Sequence, residues 1–359
     1  MTTRVTHAAF VIPGDIDLPT GGYGYDRRVL ALLPASGVAI RHVVLPGGYP
    51  SPSPADLAAS ERVLAALPPD MPLLIDGLAY GAIPAEIVAR IRQPIVALCH
   101  HPLALEAGLT VARQAHFQKT EMAALAFARH VVATSAMTKA ILAKDFGVPA
   151  ERITVAEPGT DPGQRAVGTR GGELRDAGPI QLLAVGSIVP RKGYDVLVRA
   201  LTGLTHLEWR LTIAGSDDRS PETTRAVKAA ISEAGLGARI SLIGAVGAAE
   251  LEKLYAGADL FLMPSLFEGY GMVLAEAMAR GLAVVCTTGG AAAETVPDAA
   301  ALKVAPGDPI AFGAAVARML EDADLRGRMA DAAWAAGQTL PRWTDTARII
   351  AEVLTQVRA

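Results

Sequence analysis

Cysteine is nearly absent: Cys99 and Cys286 are the only two in 359 residues. Each lies in an apolar, strand-like run, and they fall in different halves of the chain. That argues against a disulfide and against a thiolate metal site. Charge imbalance is also missing, with 33 Lys+Arg against 36 Asp+Glu. Neither half carries a field strong enough to make nucleic acid the main partner. No stretch reaches the ~18 uninterrupted apolar residues of a spanning helix. The N-terminus shows no basic region followed by an apolar core and a cleavage site. These absences lead to the expectation of a soluble, cytoplasmic protein. One helical pattern, Ala112 to Arg129, carries Arg113, His116 and Lys119 with Phe117 and Met122. It could make a weak peripheral contact with an anionic membrane at its inner face. A half-exposed helix is the plainer reading.

What is present is alternation. Alanine swells a hydrophobic share of 51%, and short apolar runs trade places with amphipathic helical patterns from end to end. That predicts parallel sheets covered by helices on both faces, an α/β architecture in about two domains. Strands are expected near Val5–Ile12, Val38–Leu45, Leu73–Asp76, Ile95–Cys99, Val131–Ala133 and Ile153–Val155. Helices are expected at Tyr23–Leu33, Pro54–Leu67, Pro84–Arg92, Ala112–Arg129 and Ala136–Phe146. From Glu157 to Pro179 the chain is rich in Gly and Pro and loses any apolar period, so the linker falls there. Strands resume near Ile180–Ser187, Arg210–Ala214, Ile240–Gly244, Leu260–Pro264, Ala283–Thr287 and Leu302–Val304. The expected division is a first domain over 1–165, a linker over 166–179 and a second domain over 180–340. A last helix over 341–359 packs back on the first domain. Two such doubly wound domains facing each other would place ligands in a cleft at the carboxyl ends of their strands.

The run from Phe267 to Gly281 says most about chemistry. Glu268 and Glu276 lie eight positions apart, and Gly269, Tyr270 and Gly271 lead from a strand into a helix. A strand that turns on glycine into a helix presents free N–H groups and a positive dipole end, which attracts phosphate. Two carboxylates would repel phosphate and instead suit hydroxyls, which they accept as charge-assisted hydrogen bonds. Phosphate beside a polyol points to a sugar nucleotide. Gly186 follows the first strand of the second half, and Arg191 and Lys192 come just after it, where two cations could neutralise a leaving diphosphate. Gly21 and Gly22 open the first helix and allow close backbone approach. They do not form the G-x-G-x-x-G of a dinucleotide site. His100 and His101 end a strand of the first half. Adjacent residues of an extended run face opposite ways, so at most one should serve the site, and a His-His metal pair is disfavoured. His130 and His206 read as structural, and Arg27 and Arg28 as surface. Asp217-Asp218 reads as a turn and helix start rather than a metal pair. Gly289-Gly290 before Glu294 opens another helix that could border the nucleotide.

Taken in order, these segments resemble the retaining GT-B glycosyltransferases of family 4, the "group 1" type, over almost the whole chain. Glu268 to Glu276 resembles the family's E-x₇-E signature. Gly186 with Pro190-Arg191-Lys192-Gly193 resembles its donor motif. Thr134-Ser135, Pro158-Gly159-Thr160-Asp161, Ile213-Ala214-Gly215, Pro264-Ser265, Gly21-Gly22 and Trp343-Thr344 match further segments. Two departures stand out. Ser187 occupies the usual arginine slot, and Arg191 stands before Lys192 where it could supply the missing cation. The resemblance implies transfer of a hexose-type sugar from a UDP- or GDP-linked donor, with retention and with no metal or other cofactor. The acceptor would be a saccharide, a lipid-linked intermediate or a small molecule, as in polysaccharide or glycoconjugate synthesis. It implies catalytic roles for Glu268, Lys192 and the acceptor-side His101. Donor contacts are implied at Gly21, Gly22, Gly186, Arg191, Lys192, Glu268, Gly269, Tyr270, Gly271 and Glu276. A GT-B-shaped sugar-nucleotide epimerase and a non-catalytic nucleotide-sugar-binding protein remain the alternatives.

Overall fold

The structure is a computed structural model that describes residues 6–171 and 178–358. Residues 1–5, 172–177 and 359, which the sequence reading gives to the first domain, the linker and the last helix, lie outside them. The chain divides into two compact units, Met1–Gly159 with Pro341–Ala359, and Thr160–Leu340.

The first unit is built on β1 (Thr6–Pro13), β2 (Val38–Leu45), β3 (Leu73–Asp76), β4 (Ile95–Cys99), β5 (His130–Ala133) and β6 (Ile153–Val155). They form one parallel sheet in the order β2-β1-β3-β4-β5-β6. The central strands are continuous apolar runs because helices cover both faces; every residue of β3 and β4 is buried. Edge strand β2 instead leaves Arg41, His42 and Val44 exposed. The helices are α1 (Gly21–Leu32), α2 (Pro54–Ala65), α3 (Gly77–Tyr80), α4 (Ala85–Val88), α5 (Val111–Leu125) and α6 (Ala136–Asp145). Their starts follow local chemistry. Thr20 caps α1 by accepting from the Tyr23 amide, and Ser53 and Asp56 form a capping box ahead of α2 with Pro54 in its first turn.

Two local findings differ from the sequence reading. The helix expected over Pro84–Arg92 shrinks to α4 and gives way to single turns through Ile91, and Pro94 bars only Gln93 from the helical region. Gln93 is buried there and donates to the carbonyls of Leu64 and Leu67 at 3.1 and 2.8 Å. The short α3 was not expected from periodicity; the Asp76 carboxylate creates it by accepting from the Leu78 amide at 2.8 Å.

The second unit repeats the plan with β7 (Ile180–Val185), β8 (Trp209–Ala214), β9 (Ile240–Leu242), β10 (Leu260–Met263), β11 (Ala283–Thr287) and β12 (Ala301–Val304). Its parallel order is β12-β11-β10-β7-β8-β9. Around it lie α7 (Tyr194–Thr202), α8 (Pro221–Glu233), α9 (Ala248–Gly257), α10 (Met272–Ala279), α11 (Ala292–Thr295), α12 (Pro309–Glu321) and α13 (Ala323–Gly337). The last helix, α14 (Trp343–Arg358), belongs to the first unit. Its Ala347, Ile350, Ala351, Val353 and Leu354 are buried at helical spacing, and that face lies against α1 and the first sheet.

The topology decides where ligands go. In the first unit the chain steps outward from β1 to β2 and then crosses back to β3. In the second it steps from β7 through β9 and crosses back to β10. Strand order reverses between β1 and β3 and between β7 and β10. Outside the carboxyl ends of strands at such a point, neighbouring loops diverge and open a crevice.

Candidate functional site

In the second unit the loops leaving β7 and β10 meet at the switch point. Gly186 adopts φ 149°, and a Cβ there would lie 3.1 Å from the Lys192 side chain. A single 3₁₀ turn, Pro190–Lys192, then ends on left-handed Gly193. A Cβ on Gly193 would come within 2.4 Å of the Pro264 carbonyl oxygen, so only glycine lets the two loops pack this closely. The Leu266 amide donates to the Arg191 carbonyl at 2.7 Å and ties them together.

Glu268 sits at the centre of this junction and is only 5% exposed. Its backbone is clamped: its amide donates to Gly289 O at 3.1 Å, and the Ala291 amide donates to its carbonyl at 2.8 Å. Gly289-Gly290 thus borders Glu268 itself. The carboxylate accepts from Lys192 Nζ at 2.7 Å and pairs with Arg191 Nη1 at 3.2 Å. Burial would raise the Glu268 pKa, yet the Lys192 and Arg191 charges overcome that and hold it at about 2. Arg191 also donates to Phe267 O at 2.8 Å. Both cations expected from the sequence are therefore present together, partnered by the first glutamate of the pair.

Gly269 and Tyr270 lie outside the helix, and left-handed Gly271 caps α10, whose first turn carries no acid. Glu276 lies in the second turn. Its carboxylate accepts from Tyr255 Oη at 2.9 Å, and the Arg280 guanidinium covers the Tyr255 ring at 4.7 Å. Burial raises the Glu276 pKa, while the Tyr255 hydrogen bond, Arg280 and Lys192 pull it back. Lys192 thus acts on both glutamates. Two cations, a helix start free of acids and a hydroxyl-accepting carboxylate can together bind an anion next to a group bearing hydroxyls.

In the first unit the loop after β1 and the ends of β3 and β4 converge. Gly21 and Gly22 form the first turn of α1. A Cβ on Gly22 would lie 3.4 Å from the His100 ring. His100 Nε2 is 3.2 Å from Asp26 Oδ1 on α1 and 3.2 Å from Asp76 Oδ2 at the end of β3. His101 faces elsewhere and pairs with half-buried Glu106 at 3.0 Å. The adjacent histidines do point apart, and the one beside the glycine loop is His100. Arg27 donates to the carbonyls of Ile16 and Leu18 and so secures the loop ahead of α1.

Sequence reasoning missed Asp26, Asp76, Tyr255 and Arg280. Asp76 left a signal: a carboxylate closing the apolar run Leu73-Leu74-Ile75 at the carboxyl end of a strand. Asp26 lies one helical turn after Gly22, on the same face of α1. Nothing in the sequence pairs Tyr255 with Glu276.

Comparisons with known proteins show the family and the fold. A family profile described as "Glycosyl transferases group 1" matches residues 169–335, and one described as "Glycosyltransferase Family 4" matches residues 21–164. A D-inositol 3-phosphate glycosyltransferase of Xylanimonas cellulosilytica is 31% identical over 227 residues, covering 60% of this chain and 54% of the relative. An MMP alpha-(1->4)-mannosyltransferase of Mycolicibacterium hassiacum is 28% identical over 300 residues, covering 79% and 70%. The match therefore spans about half the length of the first relative. Among solved structures, a sucrose-phosphate synthase from Thermosynechococcus elongatus superposes with a TM-score of 0.80 at 19% identity, covering 97% of this chain and 98% of the other. Anabaena HepE, solved in complex with UDP-glucose, gives 0.78 at 19% identity, covering 98% and 100%. Those structures share the fold, which is GT-B. With both halves matched by profiles of one enzyme group, the chain belongs to the group 1, family 4 glycosyltransferases.

Proposed function

We propose that the protein transfers a hexose-type sugar from a UDP- or GDP-linked donor to an acceptor hydroxyl, with retention of configuration and without a metal. The observation that carries this reading is Lys192, held by Glu268 and acting on Glu276 at the switch point of the second sheet. Lys192, Arg191 and the amino end of α10 would stabilise the departing diphosphate, a task metal ions perform in other enzymes. Glu276 would take the ribose hydroxyls. Glu268, already engaged with both cations, would orient them and the donor sugar rather than attack it. The bond from the sugar's anomeric carbon to the phosphate oxygen breaks, and the acceptor oxygen bonds to the same face. The departing diphosphate takes the acceptor's proton. Gly186, Gly269, Tyr270 and Gly271 would line the donor, and the resemblance implies donor contacts for Gly21 and Gly22 as well.

In this reading residues 180–340 bind the donor and residues 1–165 the acceptor, with 166–179 as linker and 341–359 as the returning helix. The resemblance assigns the acceptor-side histidine to His101; the geometry favours His100, which lies against Gly22 and between two carboxylates. The acceptor is a saccharide, a lipid-linked intermediate or a small molecule, and the reaction is placed on the cytoplasmic side. No described helix is long and apolar enough to cross a membrane. The exposed Val111, Met122 and Phe127 around α5 would give at most a weak contact with the inner membrane face. HepE was solved with UDP-glucose, and the named relatives are a glycosyl- and a mannosyltransferase, which supports a nucleotide-sugar donor. The test is incubation of the full chain with UDP-glucose and GDP-mannose in excess EDTA. Release of the nucleoside diphosphate that falls about tenfold in Glu276→Gln at subsaturating donor supports the reading. Epimerised donor in place of release, or release only with added metal, overturns it.

A further inference from the structure

The arrangement around His100 asks for an explanation that sugar-nucleotide binding in the second unit does not provide. Asp26 is 0% exposed and Asp76 is 2% exposed, and both carboxylates converge on one imidazole nitrogen at 3.2 Å. Asp76 has a second occupation, since its Oδ1 accepts from the Leu78 amide at 2.8 Å. Asp26 has none outside this cluster: its Oδ2 is buried with no further partner among the described residues, and its carboxyl lies close enough to Asp76 to share a proton with it. Asp26 therefore stands inside the fold for the sake of His100 and Asp76 alone. Two neighbouring carboxylates out of water repel each other and lose hydration, a cost relieved by a cation beside them or by a proton held between them. His100 is the group positioned to be that cation.

The ring is also fixed in direction. The Tyr25 ring meets it edge-on at 5.2 Å between centroids, and Tyr25 is itself held by donating to Ala156 O at 2.9 Å. The His100 carbonyl accepts from Thr134 Oγ1 at 2.9 Å. With Nε2 given to the carboxylates, Nδ1 makes no hydrogen bond among the described residues, and the side chain keeps 20% of its surface open. An imidazolium carries a proton on each nitrogen, so Nδ1–H is a charged donor reserved for something outside the chain.

We infer that Asp26 and Asp76 are positioning residues that keep His100 an imidazolium, with Nε2–H shared between the carboxylates and Nδ1–H donated to a substrate oxygen. The inference rests on the transfer reaction proposed above and assigns it two further residues. The titratable groups around the ring are Asp26 and Tyr25 on α1, Asp76 at the end of β3, Cys99 on β4 and, behind Cys99, Glu121 on α5. Burial lowers the His100 pKa, but the charge and hydrogen bond of Asp26, with Asp76 beside it, push it up to about 10. Burial and the Asp76 charge push Asp26 up to about 7 against the opposing pull of His100. The ring thus keeps its proton across the neutral range.

The experiment follows His100 by histidine-selective NMR in the full chain and measures UDP-glucose and GDP-mannose consumption from pH 6 to 9.5. Wild type should show His100 protonated through pH 9 and a rate with no loss between pH 6.5 and 8.5 traceable to this ring. Asp26→Asn should bring the His100 titration down by about 2–3 pH units, because Asp76 alone then opposes burial. Its rate should stay near wild type at pH 6 and fall about tenfold at pH 8.5. A merely structural cluster would alter stability and leave the pH profile unchanged. If Asp26→Asn does not fold, Asp76→Asn is read in the same way. A wild-type His100 that titrates below pH 8 overturns the inference without any variant. An active wild type with an unshifted Asp26→Asn profile overturns it alone; a wild type that consumes no nucleotide sugar removes the proposed function and this inference with it.

Discussion

Replacing Lys192 by methionine keeps most of the side chain's volume and removes its charge, so it isolates the electrostatics of the junction between the β7 and β10 loops. In the wild type the nearly fully buried Glu268 lies at about 2 against an ordinary 4.5. At ~1.36 kcal/mol per pH unit, that depression corresponds to about 3 kcal/mol of preference for the ionised form in the fold. Lys192 at 2.7 Å supplies the larger share and Arg191 at 3.2 Å the smaller. Removing one partner of a buried pair leaves the other charge stranded, a loss of about 3–5 kcal/mol in comparable cases. Arg191 remains, so about 2–3 kcal/mol is the expectation. For a unit of this size that lowers Tm by roughly 4–12 °C.

The sign of the pH dependence follows from the depressed value. The stabilisation is full above the ordinary carboxylate pKa and disappears as pH falls toward about 2. Lys192→Met should therefore be most destabilised at neutral pH and converge with wild type in acid. The double variant Lys192→Met/Glu268→Gln should recover part of the loss, because it leaves no unpaired charge. Thermal unfolding followed by circular dichroism at pH 7 and in acid gives both quantities. A Lys192→Met protein that melts within about 1 °C of wild type at pH 7 would refute the argument, as would a double variant less stable than either single one.

Three further outcomes follow from particular contacts. Gly193→Ala should lower Tm and abolish donor-induced thermal stabilisation, since left-handed φ strain of about 1–3 kcal/mol adds to a clash with the Pro264 carbonyl next to Lys192; a variant as stable as wild type contradicts the loop packing. Glu121, 2% exposed with its carboxylate accepting from Leu103 N at 2.9 Å, is pushed up to about 8 by burial against the pull of that amide. Its contribution to stability is full below the ordinary pKa of 4.5 and is lost as pH rises through about 8, so Glu121→Gln should flatten the decline of Tm between about pH 5 and 8, and an unchanged decline counts against it. Glu276→Gln should raise the KM for the nucleotide sugar about tenfold or more while changing Tm by only a few degrees, read from initial rates; an unchanged KM removes the ribose role.

The strands and their order of appearance could be read in the chain because buried parallel strands are continuous apolar runs. Leu73–Asp76, Ile95–Cys99 and Ala283–Thr287 are read to the residue. Helix ends were less legible: α4 stops at Val88 and loosens into single turns through Ile91, a change that periodicity does not register. In the site, Glu268, Lys192 and Arg191 could be read because each follows a strand within a few residues, where loop position and chemistry coincide. That Glu268 binds both cations could not, because it depends on how close two loops 76 residues apart in sequence approach. Asp26 and Asp76 escaped notice for the same reason. Each looks like an ordinary polar residue until α1, β3 and β4 bring it to one imidazole, and that packing also distinguishes His100 from His101.

The most direct measurement is a structure of the full chain bound to UDP-glucose or GDP-mannose. The account predicts the diphosphate within hydrogen-bond distance of Lys192 and the amino end of α10, with a Glu276 oxygen on the ribose hydroxyls. A nucleotide bound away from Lys192, or a ribose that leaves Glu276 still paired only with Tyr255, would contradict it.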